Sequence, residues 1–174
     1  MVLETERLLL RELTMDDFDD LHAILSDPES MKHYPSPFSP ERTTRWVQWN
    51  IDNYATYGFG LWAVVCKEDG RMIGDCGITM QNINGAMQPE VGFHINKRYG
   101  CKGYATEAAT AVAKYAFEHL RLPELYCYQK YTNLPSQRVA EKLGMKRVME
   151  YDDPKNTVTT VYRITTDEFR QLAK

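Results

Sequence analysis

Three observations on the chain predict a mixed α/β fold. Apolar, strand-like runs at 59–67, 71–80 and 89–95 follow one another, and Glu68-Asp69-Gly70 separates the first two as a hairpin turn would. A helical run then follows directly, with Ala105, Ala108, Ala109, Val112, Tyr115 and Ala116 on one narrow face of small residues that can lie close to a sheet. Strand and helix signals alternate to the end of the chain.

Taken in order, residues 3–11 read as a first strand. Thr14 and Asp17 resemble a capping box that opens a helix to about Ser26. Pro28, Pro35, Pro37 and Pro40 interrupt residues 28–40, and a second helix runs from Glu41 to about Tyr54. The three successive strands suggest an antiparallel meander, followed by the small-faced helix. Residues 124–131 form a strand, Ser136 to Leu143 a short helix ended by Gly144, 145–151 and 158–165 two strands, and 167–173 a last helix. The order β-α-α-β-β-β-α-β-α-β-β contains no internal repeat and no low-complexity linker, so residues 1–174 read as one domain.

Composition narrows the function. A chain of 174 residues with 43% hydrophobic content can build one substantial core. The net charge of −3, with 21 Lys and Arg scattered along the chain, argues against a nucleic-acid partner. No apolar run is long enough for a membrane span, and the start Met1-Val2-Leu3-Glu4-Thr5-Glu6-Arg7 is too acidic for a signal peptide. The expected location is the cytoplasm. Cys66, Cys76, Cys101 and Cys127 form no metal-ligand pattern, so no metal is expected; the first, second and fourth read as core residues.

Residues 98–107, Arg-Tyr-Gly-Cys-Lys-Gly-Tyr-Ala-Thr-Glu, join the third meander strand to the small-faced helix. Glycines let a backbone approach a ligand closely, and a helix N-terminus adds unsatisfied N–H groups and a positive dipole end. A pyrophosphate suits such a turn, with Lys102 as a point charge beside it. The segment matches neither Gly-x-x-x-x-Gly-Lys-Ser/Thr nor Gly-x-Gly-x-x-Gly, and on its glycines alone an ordinary strand-to-helix turn is an equal alternative.

The element order, the glycine turn after the fourth strand and Asn133-x-x-Ser136 after the fifth together resemble the GNAT superfamily of N-acetyltransferases. Glu90-Val91-Gly92-Phe93, Lys102-Gly103-Tyr104-Ala105-Thr106-Glu107-Ala108 and Asn133-x-x-Ser136-x-Arg138-Val139-Ala140-Glu141-Lys142-Leu143-Gly144-Met145 are similar to the ribosomal-protein-alanine acetyltransferase branch. The resemblance implies a single-domain, mixed and mostly antiparallel sheet flanked by helices and splayed between strands 4 and 5. It implies acetyl-coenzyme A as cosubstrate, with its pyrophosphate on Gly100, Cys101, Lys102, Gly103, Tyr104, Ala105 and Thr106. The family pattern Arg/Gln-x-x-Gly-x-Gly/Ala falls on Gly100 to Ala105. Gly100 therefore stands at the Arg/Gln position and Cys101 where a glycine is usual. Main-chain amides supply most of such a cradle, so altered cofactor binding is expected.

By the same resemblance, main-chain groups of Phe93, His94 and Ile95 pair with the pantetheine arm, and Asn133 hydrogen-bonds it; a cap or turn role is the alternative for Asn133. Ser136 resembles the serine offered to the departing sulfur as general acid, with an N-cap as its alternative role. The tyrosine of other members is replaced here by Ala140. Glu90 resembles the glutamate that takes the amine proton, against the alternative of a solvated strand-edge residue; Glu150 and His94 are reserves. Tyr34 and Trp46 fall where the family walls its acceptor pocket, and packing is the competing role. Acidic runs at Asp16, Asp17, Asp19 and Asp20 and at Asp152 and Asp153 either attract a cationic amine or only face solvent.

The expected function is transfer of an acetyl group to a primary amine, a protein N-terminus or a small molecule, by direct attack in a ternary complex. The alternative is a non-catalytic acyl-coenzyme A-binding or regulatory module of the same fold. Monomer or homodimer is expected.

Overall fold

The computed structural model describes residues 1–172. The expected first strand is two strands, β1 (Leu3–Glu4) and β2 (Leu8–Glu12), folded back on each other. Thr5 makes the reversal: its hydroxyl accepts from the Leu8 N–H at 2.9 Å and its own N–H reaches the Leu8 carbonyl. After β2, Asp17 accepts from the Thr14 N–H at 2.9 Å and from two Arg11 guanidinium nitrogens at 2.7 and 2.8 Å. The expected Thr14 and Asp17 capping box is present, but the turn it opens at Met15–Asp17 is 3-10, and helix α1 (Phe18–Leu25) follows it.

Helix α2 (Pro40–Tyr57) starts where Ser39 Oγ accepts from the Arg42 N–H at 3.2 Å and Pro40 fills the first position, which needs no N–H partner. The meander follows as β3 (Leu61–Cys66), β4 (Met72–Ile83) and β5 (Ala86–Ile95). The last two strands are longer than expected because Asn84 and Gly85, at φ 50° and 88°, close a two-residue hairpin. The chain continues through α3 (Tyr104–Glu118), β6 (Glu124–Lys130), α4 (Leu134–Lys142), β7 (Lys146–Asp153), β8 (Thr157–Thr165) and α5 (Thr166–Leu172). Residue 173 of the expected last helix lies outside the described residues.

All strands join one sheet, in the order β1-β2-β3-β4-β5-β6-β8-β7, and every pairing is antiparallel except β5 with β6. Residue alternation along the strands separates two cores. Trp62, Val64, Cys76, Val91, Leu125 and Ile164 face α3, whose Ala108, Ala109, Ala113 and Ala116 are essentially without exposure. Ala63 and Met72 on the other face meet Leu21, Leu25, Phe38 and Val47 from α1, α2 and their connection. Buried Asn50 pins α2 to the sheet: its Oδ1 accepts from the Leu61 N–H at 2.7 Å, while its amide donates to the Trp46 carbonyl at 3.0 Å.

Gly74 lets β4 and β5 close up beside the site described below. A Cβ there would sit 1.9 Å from the His94 carbonyl oxygen, a backbone atom that cannot swing away. Gly74→Ala is expected to cost about 1–3 kcal/mol, read as a lower midpoint in chemical denaturation with an unchanged m-value.

Candidate active site

Strands β5 and β6 form a single parallel pair, Glu90 with Tyr126, and then diverge toward their C-terminal ends. The expected splay between the fourth and fifth predicted strands is thus present, between β5 and β6. Beyond Glu90, the edge of β5 that faces β6 has no strand partner among the described residues, which leaves main-chain groups from Val91 to Ile95 available. A cavity of about 300 Å³ fills the gap, and Glu90, Phe93, His94, Asn133 and Ser136 all line it. Ile95 continues β5 and packs against the α3-side core.

On the α4 side, Asn133 is the helix cap: its Oδ1 accepts from the Ser136 N–H at 3.3 Å. Ser136 is therefore not the N-cap but stands in the first turn, half-buried. Its hydroxyl donates to Gln129 Oε1 at 3.3 Å, and Gln129 is fixed in turn by Thr160 Oγ1 at 2.8 Å. Gln129 was not singled out in the sequence; it lies on the same alternation as buried Cys127, whose thiol burial pushes well above its ordinary range.

The segment from Gly100 to Thr106 forms the turn and first residues of α3, outside the cavity lining. Cys101 adopts φ 59° and Gly103 φ 81°, so the backbone curls twice through the left-handed region before α3 starts. Gly100, Cys101, Lys102 and Gly103 are exposed, whereas the Tyr104 side chain is buried beside Cys66, which leaves only its main chain for a ligand. Lys102 Nζ lies 5.8 Å from the centre of the Tyr99 ring.

A clasp that sequence spacing could not reveal holds this turn. Glu107 accepts from Thr5 Oγ1 at 2.6 Å, from the Arg7 N–H at 2.9 Å and from Arg7 Nε at 2.6 Å. Arg7 also donates to the Lys102 carbonyl at 2.9 Å and covers the Tyr104 ring at 4.4 Å. The reversal at Thr5 presents these groups to the start of α3, about a hundred residues later. Burial pushes the Glu107 carboxyl up, but the hydrogen bonds from Thr5 and Arg7 outweigh it and hold the group below its ordinary range.

The opposite face of the gap, beneath α2 and the proline-rich connection, is polar. Register places Asp75 beside His94 and Thr79 beside Glu90, all on one face. His94 Nδ1 lies 2.7 Å from Asp75 Oδ1, and Trp46 Nε1 donates to Asp75 Oδ2 at 3.1 Å. Tyr34 and Trp46 line the cavity as expected, their rings 5.3 and 6.1 Å from His94. His33 Nδ1 reaches Thr132 Oγ1 at 3.3 Å, so the connection spans the cleft mouth.

Glu90 is 8% exposed, not a solvated edge residue. Burial pushes its carboxyl well above the ordinary 4.5, opposed by hydrogen bonds from the Tyr128 main chain and Thr79. A Cβ at Gly92 would lie in ordinary van der Waals contact with Glu90 Oε2, at 3.4 Å. The reserve Glu150 is exposed, ion-paired to Arg147 and outside the cavity. Neither acidic run lines the cavity: Asp17 is committed to Arg11, and Asp153 accepts from Thr159 Oγ1 at 2.9 Å. Cations stand at the mouth instead, Arg42, Lys130 and Lys155. Among the described residues no group of three or more His, Cys, Asp or Glu is placed to hold a metal, and no helix is long and apolar enough to cross a membrane.

The model of the Acetyltransferase (GNAT) domain matches residues 7–146, and the chain belongs to this family of acetyltransferase enzymes. It is 32% identical over 148 residues to the Bacillus subtilis N-acetyltransferase YnaD, covering 84% of each chain. The GNAT-family acetyltransferase structure from Bacillus anthracis superposes with a TM-score of 0.81 at 29% identity, over 96% of this chain and 99% of that one. RimL, a ribosomal L7/L12 α-N-protein acetyltransferase solved with coenzyme A, shares the fold at a TM-score of 0.78 and 16% identity, over 96% of this chain and 98% of that one.

Glu90 carries a pH signature. A carboxyl whose folded-state pKa is raised contributes stability present below about 4.5 and lost as pH rises through the raised value. Glu90→Gln removes that loss, so denaturation of the pair at pH 5 and pH 8 should show the variant gaining on the wild type at the higher pH.

Proposed function

We propose that the protein transfers the acetyl group of acetyl-coenzyme A to a primary amine, a protein N-terminus or a small molecule, by direct attack with both substrates bound. The observation that carries this reading is the gap between β5 and β6, which joins two chemically different faces of one sheet. Asn133, Ser136 and the α3 turn border one face; Glu90 and His94 border the other. An acyl donor and an amine entering from opposite faces would meet at the unpaired edge of β5.

The residues present fit the donor. The doubly left-handed turn exposes backbone at Gly100–Gly103, and the first amides of α3 (Tyr104, Ala105, Thr106) would hold the pyrophosphate with Lys102 beside it. Cys101 tolerates the φ of the glycine it replaces, so the cradle keeps its curl. Main-chain groups of Phe93, His94 and Ile95 and the Asn133 amide would take the pantetheine arm. When bound, acetyl-coenzyme A supplies the activated thioester. Ser136, oriented by Gln129, gives its proton to the departing sulfur and regains one from solvent. Glu90 takes the proton lost as the amine nitrogen bonds to carbon; an arriving cation favours its carboxylate despite burial.

We place the protein in the cytoplasm, where reduced Cys66, Cys76, Cys101 and Cys127 are stable, as monomer or homodimer; exposed Val148 and Met149 on the edge strand β7 offer a pairing surface.

Thiol release from acetyl-coenzyme A, followed with polyamines, aminoglycosides and Ala- or Ser-starting peptides, tests the reading. Release with one amine class supports it; saturable cofactor binding with no release for any amine favours the non-catalytic module instead. Ser136→Ala should lower kcat by about 10- to 100-fold with coenzyme A affinity nearly unchanged, whereas Lys102→Ala should weaken binding several-fold with little effect on kcat. The reverse pattern would contradict both assignments.

A further inference from the structure

An ammonium ion loses two protons in becoming an amide, and Glu90 can accept only one of them at a time. The other departs before attack, since only a neutral amine has the lone pair that forms the new bond. The acceptor face of the cavity holds a second group built for this.

His94 sits between a fixed carboxylate and the cavity. Asp75 is fully buried, and its two oxygens are both engaged, one by the Trp46 indole N–H and one by His94 Nδ1. A carboxylate only accepts, so Nδ1 carries a proton, and in the neutral imidazole the lone pair is then on Nε2. Nε2 is itself buried and has no partner among the described residues, on a ring that lines the cavity beside Tyr34. A buried ring nitrogen left unpaired is unusual, and the ring that carries it lines the cavity. The titratable groups around it are Asp75 from β4, Glu90 along β5 and Tyr34 from the proline-rich connection.

We propose that His94 Nε2 takes the first proton from the arriving ammonium, with Asp75 as the residue that positions the ring and stabilises its charged form; this rests on the amine-acetylation reading above. The N–H bond breaks, its electron pair stays on the amine nitrogen, and the imidazolium returns the proton to solvent at the cavity mouth. The neutral nitrogen then bonds to the acyl carbon as the C–S bond breaks. Its second proton goes to Glu90, and the sulfur is protonated from Ser136.

The test compares two acceptors of different basicity, an alkylamine that arrives as its ammonium and an alkoxyamine that arrives neutral at pH 7. Thiol release is measured for the wild type, His94→Gln and Asp75→Asn. Asp75→Asn reverses the hydrogen bond and turns the Nε2 lone pair into an N–H. For each variant kcat/KM should fall about tenfold further with the alkylamine than with the alkoxyamine. Equal losses with both acceptors for His94→Gln would overturn the proposal and leave the pair a structural link between β4 and β5. Should Asp75→Asn fail to fold, His94→Gln decides alone. A wild type that releases no thiol with either amine would instead sink the acetylation reading.

Discussion

One missed pairing organises this molecule. Two parallel strands meet at Glu90 and Tyr126 and then part, while every other neighbouring pair in the sheet is tied by an antiparallel ladder, with register shifts only at Val64/Val65 and Arg147/Met149. A sheet edge inside a protein leaves unsatisfied N–H and C=O groups, which are tolerated only where a ligand or water can take them up. The hairpin at Asn84 and Gly85 and the long β4–β5 ladder hold one side of the opening rigid. The β6–β8 ladder holds the other side. The gap is therefore a property of the framework rather than of a loop.

The gap also explains why the buried polar residues sit where they do. Alternation sends Val91, Leu125 and Cys127 into an apolar core against the close-packed alanines of α3, while Asp75, Thr79, Glu90 and His94 face the other way. Charged and polar groups in such a place are stable only when partnered: Trp46 and His94 hold Asp75, Asp75 holds His94, and Thr79 and the Tyr128 main chain hold Glu90. The His94 ring, whose Nε2 has no partner among the described residues, and the open edge of β5 border the same cavity. Arg42, Lys130 and Lys155, rather than the acidic runs of the sequence, are among the residues that line it.

Much of this architecture is legible in the chain. The small-residue stripe of α3, the glycine turn before it and the Asn133 to Ser136 spacing all act locally, through backbone geometry and helix ends, and each lies where sequence reading puts it. Three features are not legible. The reversal at Thr5 hides inside a run whose apolar residues keep their period on both arms. Asn84-Gly85 is a strong hairpin pair whose flanks are too polar to extend the strands by periodicity alone. Asp75 meets His94, and Arg7 meets Glu107, only through strand register and tertiary packing, 19 and 100 residues apart, which no spacing rule encodes. Glu90 is the instructive case: the sequence leaves it either a proton-accepting carboxyl or a solvated edge residue, and the fold over it makes it a buried one.

Amide hydrogen exchange with and without coenzyme A tests the central claim that the gap and the α3 turn together receive the acyl donor. The account predicts new protection confined to two segments, 91–95 on the open edge of β5 and 103–106 at the head of α3. Unchanged exchange in both segments at saturating coenzyme A, or protection elsewhere alone, would contradict it.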